Sequence, residues 1–315
     1  AALIVLIFHT NDYVFYNLLD LYDKNFLLRN KLQYLLSILF YGVSAVSYFF
    51  VLSGFVLSYT YLKNNIPLSI VSFSVKRIFR IFPLYIFVVL LTYLFTFSRV
   101  ELNSVLKELL IFPNVHKLVF PGWSMTVELI FSFLVPFLII LIKERPTWFV
   151  ALFFISIVSN SFISSYIIHF MLGIFLAKMF CEKTKNQKIS KITMHSFLLL
   201  AFIIYLFQAL IRPFPTLLNS IESFISFLGI KIESLFSWAA AFGSAYIIYF
   251  ILFNNKVQKK LMLKPLVFIG KISYSIYLVH WLIIYYFLYY IMQILQVKNI
   301  LFLYVISNLI VISLT

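Results

Sequence analysis

Long apolar runs separated by short polar connections cover this 315-residue chain from end to end. They lie near 1–10, 38–62, 81–98, 123–142, 147–160, 162–181, 194–211, 235–253, 266–295 and 300–315. Runs of this kind predict membrane helices, because a helix needs about 20 apolar residues to cross the hydrocarbon core. The pattern therefore predicts ten spans, the first and last of them truncated. The fifth is short, and 216–232 competes with it as a span or lies at the interface. Backbone groups in hydrocarbon must be satisfied within the protein, so only helices and closed barrels span membranes, and the ten-residue alternation of a barrel is absent. The expected fold is all-α, a polytopic transmembrane helical bundle forming one domain over 1–315. No internal repeat stands out, which weakens a transporter built from inverted halves.

Composition strengthens this picture. The chain is 63% hydrophobic and 11% charged, too little polar surface for a soluble domain of this length. A single cysteine, Cys181, rules out a disulfide framework and a cysteine metal cluster, and no metal is expected. The net charge of +15 has two readings, nucleic acid or membrane, and the placement of the charges decides between them. The even-numbered connections hold 16 basic groups, including Lys63, Lys76, Lys143, Lys183, Lys185, Lys188 and Lys259, against two acids, Glu144 and Glu182. The odd-numbered connections hold the other 9 basic groups and seven acids. Lys and Arg mark the cytoplasmic side, so the N-terminus is expected inside. The surplus is a topology signal, with membrane lipids as partners and no nucleic acid required.

Against this apolar background a few polar residues stand out. Glu128 follows Phe120-Pro121-Gly122-Trp123-Ser124 within the fourth run, where the topology places it in the outer half. A carboxylate in hydrocarbon costs about 2.5–3.5 kcal/mol and turns toward protein. It is either a structural partner for a cation or hydroxyl, or a catalytic or substrate-orienting group. Trp123 and Ser124 read as an interfacial anchor and a helix N-cap. His9, near the outer end of the first run, is either a hydrogen-bonded core histidine or a base matched in depth with Glu128, with Asp12 as a second candidate partner. Arg77 and Arg80 sit three apart, expected at the inner mouth of the third helix and on one face of it. They are either topology anchors or a two-pronged phosphate clamp, and Pro83 is expected to bend or restart the helix beyond them. Ser273, Tyr277 and His280 form one helical stripe, which faces protein or a cavity. Gly173 and Ala177 read as close-packing positions. His169 goes either way, and His116, His195 and Lys107 receive no role.

In this order, these residues resemble the acyltransferase-3 family of integral membrane acyltransferases. The matching pieces are Leu3 to His9, Phe50-Val51-Leu52-Ser53-Gly54-Phe55, the run Lys76-Arg77-Ile78-Phe79-Arg80-Ile81-Phe82-Pro83-Leu84-Tyr85, Trp123 to Glu128, Phe170-Met171-Leu172-Gly173 and Ile272 to His280. The resemblance implies an acyl-CoA donor, usually acetyl-CoA, and an extracytoplasmic carbohydrate acceptor such as exopolysaccharide, capsule, O-antigen or peptidoglycan, at a bacterial inner membrane. It also implies that His9 is the family's essential first-helix histidine and that Arg77 and Arg80 are its donor-binding pair. Tyr85, closing the same run, is grouped with them. Glu128 matches the acidic residue of the family's Ser-x-x-x-Glu motif. The family's arginine preceding that histidine would fall before the first residue of this sequence.

The expected mechanism has His9 as general base, with Glu128 orienting it or the acceptor hydroxyl, and Trp123, Ser124, Asp12, Ser273, Tyr277 and His280 in supporting roles. An acyl-enzyme on His9 or Ser124 is the variant. A polysaccharide exporter or flippase without acyl transfer is the alternative from another class.

Overall fold

The computed structural model describes residues 1–13, 34–64, 69–96, 101–110, 118–159, 162–182, 191–288, 305 and 307–312. His116, Lys183, Lys185, Lys188 and much of the last apolar run lie outside these residues. The described residues are helical and contain no strand. In chain order they form α1 (Ala2–Tyr13), α2 (Gly42–Asn64), α3 (Ile70–Thr96), α4 (Leu102–Leu109), α5 (Gly122–Glu144), α6 (Pro146–Ser159), α7 (Phe162–Cys181), α8 (Lys191–Tyr205), α9 (Phe207–Ile211), α10 (Pro215–Phe227), α11 (Ile232–Phe253), α12 (Asn255–Leu261) and α13 (Lys264–Leu282). A π-helical stretch, Ile283–Leu288, continues α13.

Among the described residues, five segments are long and apolar enough to cross a membrane: Tyr34–Asn64, Ile70–Phe95, Gly122–Glu144, Ile232–Phe253 and Lys264–Leu282. Pro146–Ser159, Ser165–Cys181 and His195–Tyr205 are apolar but shorter. The chain is thus a multi-pass helical membrane protein, and five segments of its described residues have the length and composition of a span. The competing segment 216–232 forms α10, whose 13 residues reach about 20 Å, too short to cross.

Helix α3 does not restart at Pro83. It runs unbroken from Ile70 through Arg77, Arg80 and Pro83 to Thr96. Arg77 and Arg80 therefore lie inside a helix and not at its mouth. Pro83 forfeits one backbone hydrogen bond, but the flanking apolar turns keep the helix continuous. The helix has two faces. Val71, Val75, Phe79, Phe87, Leu90 and Leu94 are exposed and suit a lipid environment, whereas Phe73, Ile81, Tyr85 and Val88 are buried.

The chain divides into two compact units. The first comprises residues 1–45, 78–127 and 265–315, and the second residues 46–77 and 128–264. The core of the first joins Leu6 of α1 and Leu36 to Ile276, Ile283, Ile284, Leu288 and Val311. Two cross-helix hydrogen bonds add to it. The Tyr274 hydroxyl donates to the Ile81 carbonyl at 2.6 Å, and the Asn308 amide donates to the Asn11 side-chain oxygen at 3.4 Å.

The second unit packs Val51 and Phe55 of α2 with Leu176 and Ala177 of α7 and Ala241, Ala245 and Ile248 of α11. Helices α2 and α7 meet where neither carries a side chain. A Cβ on Gly54 would strike the Phe170 backbone, and one on Gly173 would strike the Val51 carbonyl and lie 2.6 Å from the Phe55 nitrogen. This is the small-residue contact expected of Gly173 and Ala177, and it lets backbones approach where apolar burial gives no driving force.

Candidate functional site

In the first unit, His9 is ringed by aromatic groups. Its imidazole stacks on that of His280, with ring centroids 5.5 Å apart and planes 19° from parallel. Trp281 presents an edge at 5.5 Å and Phe120 another at 6.1 Å. His9 is half-buried and makes no hydrogen bond to any described residue, so its ring is positioned by packing while its nitrogens stay uncommitted. His280 differs. It is fully buried, and its Nδ1 lies 3.2 Å from the Ile276 carbonyl, which as a pure acceptor requires a proton on that nitrogen. Its Nε2 then carries the lone pair, with no partner among the described residues. The sequence placed His280 on a polar stripe, but nothing in the stripe named its neighbour across 271 positions.

The other two members of that stripe separate. Tyr277 shares a 2.6 Å hydrogen bond with the Ser124 hydroxyl and donates to the Pro121 carbonyl at 3.4 Å. Ser273 donates only to the Gly270 carbonyl of its own helix, at 2.8 Å. Ser124 is not the N-cap of α5. The helix already begins at Gly122, and the Ser124 hydroxyl bonds the Pro121 carbonyl at 2.8 Å instead of an exposed N–H. Trp123 is half-buried beside it, and Asp12 is half-buried one turn beyond His9 on α1.

In the second unit, Glu128 is 2% exposed and forms an ion pair with Arg77. The Arg77 guanidinium also donates to the Ser132 hydroxyl, from Nε at 3.2 Å and from Nη2 at 3.1 Å. The Ser53 hydroxyl donates to Glu128 Oε1 at 2.9 Å. Glu128, Ser132, Arg77 and Ser53 thus come from α5, α3 and α2 and form one polar node in an apolar surround. Charge-assisted hydrogen bonds of this kind are what make a buried carboxylate tolerable. The node corrects the expected depths. An ion pair requires both groups at one level, so Glu128 and Arg77 do not occupy opposite halves of the membrane. The displacement follows from helix lengths: Arg77 lies seven residues inside α3, where the apolar pattern alone started that span at residue 81.

Arg77 and Arg80 differ in their surroundings. Three residues turn a helix through about 300°, leaving the two side chains about 60° apart. Arg77 falls beside the buried positions Phe73 and Ile81, whereas Arg80 is exposed and has no ion-pair or hydrogen-bond partner among the described residues. Tyr85 is fully buried, and its hydroxyl donates to the Glu108 carbonyl at 3.0 Å.

Glu108 itself escaped notice in the sequence. It lies on the short helix α4, is fully buried, and accepts the backbone N–H groups of Leu118 at 3.0 Å and Val119 at 2.8 Å. A helical projection of 101–110 would have found it, because Glu108 follows Val105 by three positions on the buried face. His169 is fully buried in the second unit, with Nδ1 3.1 Å from the Ser165 carbonyl and its ring edge-on to Phe50. His195 is exposed and packs edge-on against Phe250.

A family model described as an acyltransferase domain matches residues 1–315, the whole chain. The chain belongs to the acyltransferase-3 family. No curated protein and no solved structure matches it. In this membrane acyltransferase His9 packs against His280, Phe120 and Trp281, and Arg77 and Arg80 lie three residues apart on α3.

Proposed function

We propose that this acyltransferase moves an acyl group, most simply acetyl, from cytosolic acyl-CoA to a hydroxyl of an extracytoplasmic carbohydrate at a bacterial inner membrane. The observation that carries the reading is His9, an imidazole fixed by aromatic packing whose nitrogens make no hydrogen bond to a described residue. A neutral imidazole so held suits a general base. His9 takes the proton of the acceptor hydroxyl as its oxygen attacks the thioester carbonyl. The C–O bond forms, the C–S bond breaks, and the proton passes to the departing thiolate. His280 supports the base by stacking, and the Ser124–Tyr277 hydrogen bond ties α5 to the helix that carries His280.

The remaining residues divide between binding and support. Arg80, exposed on α3, is the guanidinium assigned to the donor's phosphates. Arg77 is held by Glu128 and Ser132, so Glu128 serves as the counter-ion of this node rather than as the orienter of His9. Tyr85 is assigned to structure, its hydroxyl being taken by Glu108. The exporter alternative needs no acyl donor, and membership of an acyltransferase family weighs against it.

The test is release of CoA from radiolabelled acetyl-CoA by purified protein, with and without candidate carbohydrate acceptors. His9→Ala is expected to lower transfer by about 10²–10⁴-fold, the usual contribution of general base catalysis, at unchanged yield of folded protein. Full activity in that variant removes His9 from the reaction. Arg80→Ala is expected to raise the KM for acetyl-CoA with little change in kcat, and an unchanged KM returns Arg80 to a topology anchor.

A further inference from the structure

We infer that Glu108 is a positioning residue for His9, acting through the backbone of residues 118–119 and the ring of Phe120. The inference rests on the reading of His9 as the base. Everything it uses lies within the first unit. Each carboxylate oxygen of Glu108 accepts one of two consecutive backbone N–H groups, Leu118 to Oε2 and Val119 to Oε1. An anion bridging two adjacent amides fixes their peptide planes, because both bonds are charge-assisted and both partners are buried.

The residue that follows this clamp is Phe120, whose ring edge meets His9 and which also packs on Trp281 at 5.4 Å. Phe120 is 51% exposed, so packing alone does not fix the ring, and the backbone before it must do so. The next residue, Pro121, offers its carbonyl to Ser124 and Tyr277. Val119 in turn accepts the Gly122 N–H at 2.8 Å, starting α5 from the clamped segment.

Glu108 is itself anchored. The Tyr85 hydroxyl holds its main-chain carbonyl, tying the end of α4 to α3. A contact chain therefore runs from Tyr85 through Glu108 and residues 118–119 to Phe120 and His9. Burying a carboxylate in the last turn of a helix, where the dipole disfavours negative charge, has no local benefit. The two amides it captures are its compensation.

The experiment uses the full chain in native membranes, then in detergent, with acetyl-CoA as donor. Glu108→Gln keeps the size of the side chain but turns one acceptor oxygen into an amide NH2, a donor that faces a backbone N–H. The expected result is a fall in kcat of about 10–100-fold with the KM for acetyl-CoA within about twofold, the signature of a misaimed base. Combining Glu108→Gln with Phe120→Ala is expected to cost no more than the worse single change, because both act on one path.

Multiplied effects, or a rise in KM at constant kcat, overturn the inference. So does wild-type kcat in Glu108→Gln. If His9→Ala stays fully active, the reading of His9 has failed and not the clamp. Should Glu108→Gln not fold, Tyr85→Phe decides. It removes one hydroxyl and is expected to lower kcat at constant KM, whereas a donor contact at Tyr85 would raise KM and sink the inference.

Discussion

At the scale of single residues, the node of Arg77, Glu128, Ser53 and Ser132 makes the sharpest demand on experiment. Glu128 is 2% exposed and the Arg77 side chain 11%, so removing either partner leaves an uncompensated charge in an apolar surround. Glu128→Gln is expected to destabilise the protein by about 3–5 kcal/mol, read as a lower unfolding temperature in detergent. The paired change Arg77→Met with Glu128→Leu is expected to recover most of that stability, because apolar residues of similar volume replace buried ion pairs at little cost. If the single variant unfolds at the wild-type temperature, the pair does not hold the second unit together. The sequence made Glu128 conspicuous and offered a cation or hydroxyl as one of its partners, and it has both. It could not say which cation, because apolar pattern gives the face and approximate depth of a residue but not the neighbouring helix. The expected separation in depth of Arg77 and Glu128 fails for the same reason, since they form an ion pair. His9 and His280 were each legible alone, but their stacking was not.

At the scale of helices, close approach between α2 and α7 rests on Gly54 and Gly173. The atoms that a new Cβ would meet are backbone atoms of the facing helix, which cannot rotate away. Gly54→Ala or Gly173→Ala is therefore expected to cost about 1–3 kcal/mol, toward the upper end, and to lower the yield of folded protein. Gly270 on α13 has nothing within 4 Å of its Cβ position, and Gly270→Ala is expected to be neutral or to stabilise by up to about 1 kcal/mol through helix propensity. Equal outcomes at Gly54 and Gly270 would show that the α2–α7 contact is looser than its geometry. Gly173 and Ala177 were recognisable beforehand because small residues four apart in an apolar helix have few other uses. Glu108 was passed over because α4 is short and sits in what reads as a polar connection.

For the whole molecule, the apolar pattern located nearly every described helix, and five described segments have the length and apolarity of a span. Helices α6 and α8, 14 and 15 residues long, are below the length expected of a crossing, a property that continuous apolarity does not reveal, whereas the 20 residues of α7 reach it. The orientation proposed from basic residues can be tested without settling the number of crossings, since α11 alone separates Ser220 from Lys259. Both residues are exposed. In a Cys181→Ser background, a membrane-impermeant maleimide on intact cells is expected to label Ser220→Cys and spare Lys259→Cys until the membrane is opened. The reverse pattern would invert the orientation proposed for α11.

The π-helical stretch Ile283–Leu288 begins two residues after Trp281. Each of its turns holds more residues than an α-turn, so angular positions drift as the chain passes through it. A mutational scan that carries a 3.6-residue wheel from His280 past this stretch will accumulate an angular error, although Ile284 and Leu288, four apart and buried in one core, stay on the same side. Cysteine crosslinks or tryptophan probes placed downstream need their phase reset at Ile283, and the sensitivity of a scan should change its period there.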